Sequence, residues 1–195
     1  GVKYWRPDYE RSGRTDETLG PVYGKQWRDF EGVDQLKNLV KQINNDPNSR
    51  RLMVSAWAPQ DLNKMALPPC HYAFQVCIYE GVMDLMWHQR SADVFLGLPY
   101  DIAMYGLLLK MLAEGADLKT GELIAQLGDC HLYNNHIEQA KEYLNREDGK
   151  LPTLKLNAAG ITVTNEKVYI SDLNYAELNN YNPLPAIKAE LSVGK

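Results

Sequence analysis

Cys70 follows Pro68 and Pro69 and stands at the entry to a run that alternates in the manner of a strand, His71–Tyr79. Two prolines suppress helix and hold that entry rigid. A thiol on such an edge could be a nucleophile presented to a cleft, although the commoner fate of cysteine is a small buried apolar side chain. A nucleophilic thiolate needs a lowered pKa, which nearby arginines supply; Arg50, Arg51 and Arg90 are the candidates. Arginine's planar fork also suits phosphate, so Arg50-Arg51 and Gln89-Arg90-Ser91 read as two compact donor sets. His131 and Tyr133 alternate in GDCHLY and share a face if that piece is extended, where both could bond one sugar hydroxyl. Asp101, in GLPYDIAMYG, is a short carboxylate of the kind that reads a pyrimidine edge. Together with Cys70 it points to chemistry on a nucleotide base, and to cytosine rather than uracil.

Other chemistries are weaker. Cys77 lies inside the alternating run, and Cys130 stands beside Asp129 and His131. Cys70, Cys77, Cys130, His131 and His136 lack the tight spacing of a zinc site, so no metal is expected. The three cysteines form no disulfide framework, which points to a reducing, cytoplasmic setting. The formal charge of −4 argues against DNA as substrate. No apolar run reaches the roughly 18 residues of a membrane span. Nothing matches a P-loop or a dinucleotide glycine motif.

The elements that must position these residues follow from periodicity. With 195 residues and 45% hydrophobic content, one domain with a real core is expected. Residues 1–32 read as loops. Residues 34–45 place Leu36, Leu39, Val40 and Ile43 on one helical face, with Asp34 as cap and Asp46-Pro47 as stop. Arg51–Trp57 alternates as a strand, and 58–66 is a polar connection. His71–Tyr79 and Val82–Arg90 form a hairpin through Glu80-Gly81. Gly97, Leu98 and Pro99 shape a turn, after which Asp101 caps an apolar helix over 101–113. GELIAQLGDCHLY fits helix or strand; Glu138–Leu144 is a short helix; LPTLKL, KVYISD and AIKAELSV are strand-like. The mixture implies an α/β (α+β) chain with a substantial antiparallel or mixed sheet, without the regular alternation of a doubly wound fold.

LGPVYGKQWR (Leu19–Arg28), DPNSRR (Asp46–Arg51), VSAW (Val54–Trp57), ALPPCH (Ala66–His71), QRSADVFLGLP (Gln89–Pro99) and GDCHLYNNH (Gly128–His136) resemble thymidylate synthase, in order and along most of the chain. The resemblance implies a three-layer fold whose large, mixed, mostly antiparallel sheets pack back to back in a homodimer. It implies that Cys70 attacks C6 of the pyrimidine and that Arg90 and Ser91 bind the 5′-phosphate. Arg50 and Arg51 would reach the partner subunit's phosphate, and His131 and Tyr133 would hold the 3′-hydroxyl. Gln89 and Asp129 would shape the nucleotide cavity. Asp93, Gly97 and Trp5 would serve the folate, 5,10-methylenetetrahydrofolate, as co-substrate, and Tyr23 would help position water for removal of the C5 proton. The chain starts at Gly1 rather than Met; the family's N-terminal portion, with a phosphate-binding arginine and a glutamate, is expected upstream.

Asp101 departs from the family's asparagine. An amide donates to uracil O4 and accepts from N3–H, whereas an ionised carboxylate has no donor. Against uracil O4 it would oppose two acceptors, at about 1–3 kcal/mol; against cytosine it accepts from the 4-amino group. The expectation is therefore the dCMP-modifying branch, with 5-hydroxymethyl-dCMP as product and a bacteriophage source. The alternatives are reductive methylation of dCMP, conversion of dUMP to dTMP, and a non-catalytic nucleotide- or RNA-binding relative.

Overall fold

The structure, a computed structural model, describes residues 15, 18–156 and 160–192. Helix α1 (Gly24–Arg28) leads into α2 (Gln35–Asn45). Strand β1 (Met53–Ser55) precedes a 3₁₀ turn over Pro59–Lys64 and the hairpin β2 (His71–Tyr79) and β3 (Val82–Asp93). Helix α3 (Leu98–Gly115) connects β3 to β4 (Lys119–His131), and α4 (Ile137–Leu144) follows. Two ribbons complete the described chain: β5 (Thr153–Leu156) with β8 (Ala176–Asn179), and β6 (Ile161–Thr164) with β7 (Lys167–Ile170).

The main sheet runs β1-β2-β3-β4. Its first two pairings are antiparallel and β3 pairs parallel with β4. A parallel pair needs a crossover connection, and α3 is that crossover. The expected mixed, mostly antiparallel sheet is the one observed.

Helix α2 forms where its apolar residues recur at helical spacing, and Asp34 caps it by accepting from the Lys37 N–H at 2.9 Å. Its Leu36, Leu39, Val40 and Ile43 are buried, at about 1.5–3 kcal/mol each relative to exposure. They meet Val54, Phe74 and Trp87, which register across β1, β2 and β3, and Tyr105, Leu108, Leu109 and Leu112 of α3. Both helices thus cover one face of the sheet. The opposite face carries Met53, Gln75, Met86 and Ile124 in one row across four strands, none of them buried. The hairpin turns at Glu80 and Gly81, both at positive φ (48° and 76°), the backbone that a two-residue turn of this twist demands.

Several boundaries differ from the expectation. The first strand is shorter than Arg51–Trp57. Helix α3 begins at Leu98, because Pro99 is compatible with a first helical turn, so Asp101 lies inside the helix and does not cap it. GELIAQLGDCHLY is strand, and AIKAELSV has no regular structure over its described residues. Trp5 and Gly194-Lys195 lie outside the described residues.

Candidate active site

The Pro68-Pro69-Cys70 turn is held from two sides. Arg90 straps it: its backbone N–H donates to the Cys70 carbonyl at 2.8 Å, Nε donates to Pro69 O at 2.9 Å, and Nη2 donates to Pro68 O at 3.0 Å. From the other side the Cys70 N–H donates to the Tyr23 hydroxyl at 3.1 Å. Tyr23 itself sits at φ 24°, ψ −88°, a left-handed backbone that costs a non-glycine residue roughly 1–3 kcal/mol and persists only where surrounding contacts hold it. Burial, with the Cys70 thiol and the Asp101 carboxyl nearby, holds the Tyr23 phenol well above the ordinary tyrosine range; the Cys70 N–H and the Arg90 charge oppose this only in part. Tyr23 is therefore a neutral phenol that feels Cys70, Asp101 and Arg90 at once.

Strict alternation would turn His71 outward with Gln75. A β-bulge intervenes: Ala73 pairs with His88 but His71 pairs with Gln89, leaving Tyr72 as the extra residue. Bulges re-aim side chains in this way. His71 consequently turns inward, stacks on Tyr23 at 4.2 Å between ring centroids, and places Nδ1 2.8 Å from the Tyr105 hydroxyl. Burial pushes its imidazole down to about 4, so it is neutral near pH 7. Its 3.9 Å approach to Asp101 Oδ1 is then no ion pair, and it is too long for a hydrogen bond.

Asp101 is oriented by a relay. The Trp87 indole N–H, which can only donate, donates to Gln89 Oε1 at 2.9 Å. That fixes the Gln89 amide, whose Nε2 donates to Asp101 Oδ2 at 2.9 Å and to the Ser91 carbonyl at 3.0 Å. Burial raises the Asp101 carboxyl above its ordinary range, and the Gln89 N–H offsets this in part.

The remaining expected residues fall into three places. Ser91 pairs with Asp129 and Asp93 with His131 across β3 and β4. His131 and Tyr133 meet edge to face at 4.9 Å, and His131 Nδ1 lies 3.3 Å from Asp129 Oδ1, so the structure brings this trio together. Asp93 Oδ1 accepts from the Phe95 and Leu96 N–H groups at 3.0 and 3.3 Å, and its carbonyl accepts from the Gly97 N–H at 3.1 Å. A Cβ on Gly97 would stand 3.2 Å from that carbonyl, so the turn is tight enough to favour glycine. Arg50 and Arg51 are exposed just before β1; among the described residues neither is joined to the Cys70 cluster. Reading the sequence missed His71, Tyr105 and Trp87 as parts of the site. Among the described residues no group of three or more His, Cys, Asp or Glu could hold a metal, and no helix is long and apolar enough to cross a membrane.

A family model described as thymidylate synthase matches residues 1–193. The thymidylate synthase of Listeria monocytogenes serotype 4a is 49% identical over 180 residues, covering 90% of this chain and 56% of that protein. That of Listeria innocua serovar 6a is likewise 49% identical over 180 residues. The chain thus spans about half the length of the curated relatives it matches. The crystal structure of thymidylate synthase from T4 phage superposes with a TM-score of 0.82 at 41% identity, over 97% of this chain and 70% of that one. These relatives overturn the expectation of the dCMP-hydroxymethylase branch, and with it dCMP as substrate. That expectation rested on the charge of Asp101, and burial raises its carboxyl above the ordinary range, against the ionised form. By model, relatives and superposition, this chain belongs to the thymidylate synthase family.

Proposed function

We propose that this chain is the nucleotide-binding and catalytic part of a thymidylate synthase, methylating C5 of dUMP to give dTMP. The observation that carries this reading is the Cys70 turn, pinned between the Arg90 guanidinium and the Tyr23 hydroxyl in a chain nearly half identical to thymidylate synthases. Cys70 adds to C6 of the base, which makes C5 nucleophilic and divides one hard substitution into easier steps. The strap fixes the thiol's approach before substrate arrives, which lowers the entropic part of the barrier. Tyr23, a neutral phenol beside the thiol, positions a water that takes up the proton leaving C5. The Arg90 N–H groups not engaged with Pro68 and Pro69 bind the 5′-phosphate together with Ser91, and His131 with Tyr133 holds the 3′-hydroxyl.

5,10-Methylenetetrahydrofolate, when bound, supplies the one-carbon unit and the hydride. Asp93 and Gly97 fit such a group: Asp93 keeps one carboxylate oxygen in the turn and has Oδ2 for a donor-bearing ring. The exposed sheet face with Met53, Gln75, Met86 and Ile124 is where a second copy packs back to back, and Arg50 and Arg51 reach the partner's nucleotide from the end of that face. The test is to incubate the full-length protein with methylenetetrahydrofolate and dUMP and weigh the nucleotide. A gain of one CH₂ is expected; an unchanged nucleotide overturns the reading.

A further inference from the structure

The mechanism leaves one buried pair unused, His71 and Tyr105. Tyr105 lies in α3, is 1% exposed, and stacks on Trp87 with 5.2 Å between ring centroids and 10° between planes. Phe74 and His71 each meet the same ring edge to face. Held in this way, the Tyr105 hydroxyl stands 2.8 Å from His71 Nδ1.

Which of the two atoms donates follows from the partners on hand. A phenol has one proton to give, and burial, with the Asp101 carboxyl nearby, keeps it on Tyr105. Among the described residues His71 Nδ1 is the hydrogen-bond partner of that hydroxyl. Were Nδ1 protonated, the Tyr105 O–H would be buried with no acceptor, at the full desolvation cost of the donor. Tyr105 therefore donates and Nδ1 accepts. An imidazole with a bare Nδ1 is neutral, and the hydrogen bond at one ring nitrogen decides that its single N–H sits on the other. The far side of the ring agrees. Nε2 faces Asp101 Oδ1 across 3.9 Å, so the opposite tautomer would turn a lone pair towards an acceptor oxygen.

We propose that Tyr105 is a positioning residue for the reaction: its hydroxyl commits His71 to the Nε2–H tautomer and so fixes a hydrogen-bond donor beside Cys70 before substrate binds. The inference rests on the proposed function. The bulge at Tyr72 turns His71 inward, and the His71 and Asp101 side chains, 14% and 19% exposed, are not sealed from the cleft. A donor aimed in advance needs no rearrangement when charge develops on an acceptor placed against it. The Trp87 ring that carries Tyr105 also sends its N–H to Gln89, so one aromatic stack sets the direction of two polar side chains at the site.

The test has two arms, both on the full-length protein. In the first, histidine is labelled with nitrogen-15 and long-range proton–nitrogen correlations are recorded near neutral pH, with the His71 signals assigned by their loss in His71→Gln. The expected spectrum shows Nε2 protonated and Nδ1 bare but shifted by an accepted hydrogen bond, and Tyr105→Phe removes that shift. A protonated Nδ1, or two tautomers in exchange, overturns the inference. The second arm is a double-mutant cycle in kcat. Glutamine at position 71 places an amide near the site of Nε2 and nothing at that of Nδ1, so it keeps a donor that Tyr105 cannot direct. Tyr105→Phe is expected to lower kcat about tenfold beside His71 and to change it little beside Gln at that position. An equal fall in both backgrounds means a structural role only, and no fall beside His71 means no role; either overturns the inference and leaves the proposed function standing. No dUMP turnover by the folded wild type overturns the proposed function, and the nitrogen spectrum, which needs no turnover, then decides whether Tyr105 sets the tautomer.

Discussion

Gln89 and Asp101 are joined by a 2.9 Å hydrogen bond whose direction is set by a third residue, Trp87. Gln89 is 3% exposed and Trp87 is 2% exposed, so water does not compete for this amide. The orientation of the carboxylate is therefore built into the core, between β3 and α3, before any ligand binds.

Trp87→Phe tests that orientation. The ring is replaced but the indole N–H is lost, leaving Gln89 Oε1 unsatisfied. Urea unfolding is expected to show a loss of about 1–3 kcal/mol. Kinetics are expected to show a larger change in KM for dUMP than in kcat, because a loosened amide disturbs base binding more than the thiol's attack.

Tyr23→Phe removes the acceptor of the Cys70 N–H. The loss of one buried hydrogen bond at the nucleophile is expected to lower kcat by about 10- to 100-fold, the equivalent of 1–3 kcal/mol. Steady-state kinetics check this, and an unchanged kcat would remove Tyr23 from the account. Urea unfolding is expected to show a loss of the order of 1 kcal/mol, because the part-buried Cys70 N–H loses its acceptor.

His71 makes the fold sensitive to acid. Its folded pKa, about 4, lies below the ordinary 6.5, so its contribution to stability is complete above pH 6.5 and is lost as pH falls from there towards 4. The full effect is of the order of 3 kcal/mol. Asp101 runs in the opposite sense: its folded pKa is raised, so its contribution is present below the ordinary carboxylate range and is lost as pH rises through the raised value. Urea unfolding of His71→Asn at several pH values is expected to show a flatter acid limb than the wild type.

Gly128 lies in β4 beside Arg90. A Cβ there would stand 2.8 Å from the Arg90 carbonyl, a backbone atom that cannot turn aside. Gly128→Ala is expected to push β3 and β4 apart next to Arg90, raising KM for dUMP while leaving the hairpin turn at Glu80-Gly81 intact. Kinetics and the far-ultraviolet circular dichroism spectrum together check this.

Much of the fold was legible because local and global signals agree. Leu36, Leu39, Val40 and Ile43 repeat at helical spacing behind a capping Asp34, and Glu80-Gly81 separates two alternating runs. Where they disagree, the reading failed. Pro99 reads as the end of a turn, yet proline is equally at home in a helix's first turn, so α3 starts earlier and Asp101 is not its cap. AIKAELSV has strand composition but no strand beside it. That stretch is held instead by side chains, with His136 Nε2 donating to the Glu190 carbonyl and Arg146 Nη1 to the Pro185 carbonyl, each at 2.7 Å.

The site was half legible for a related reason. Cys70, Arg90, His131 and Tyr133 are offered as candidates by type and spacing, and the resemblance implies their roles. His71 does not, because alternation assigns it to the wrong face and a one-residue bulge is not written in the period. Residue type alone presents Asp101 as an ordinary carboxylate; its burial, which raises that carboxyl above its usual range, shows only in the fold.

The central claim is that Cys70 opens the reaction on dUMP, and release of the C5 hydrogen reports it directly. With C5-tritiated dUMP and methylenetetrahydrofolate, the full-length protein is expected to release tritium to water. Cys70→Ala, folded as judged by circular dichroism, is expected to lose that release by about 10³-fold or more. Release that survives in Cys70→Ala, or that is absent from the wild type, would contradict the account.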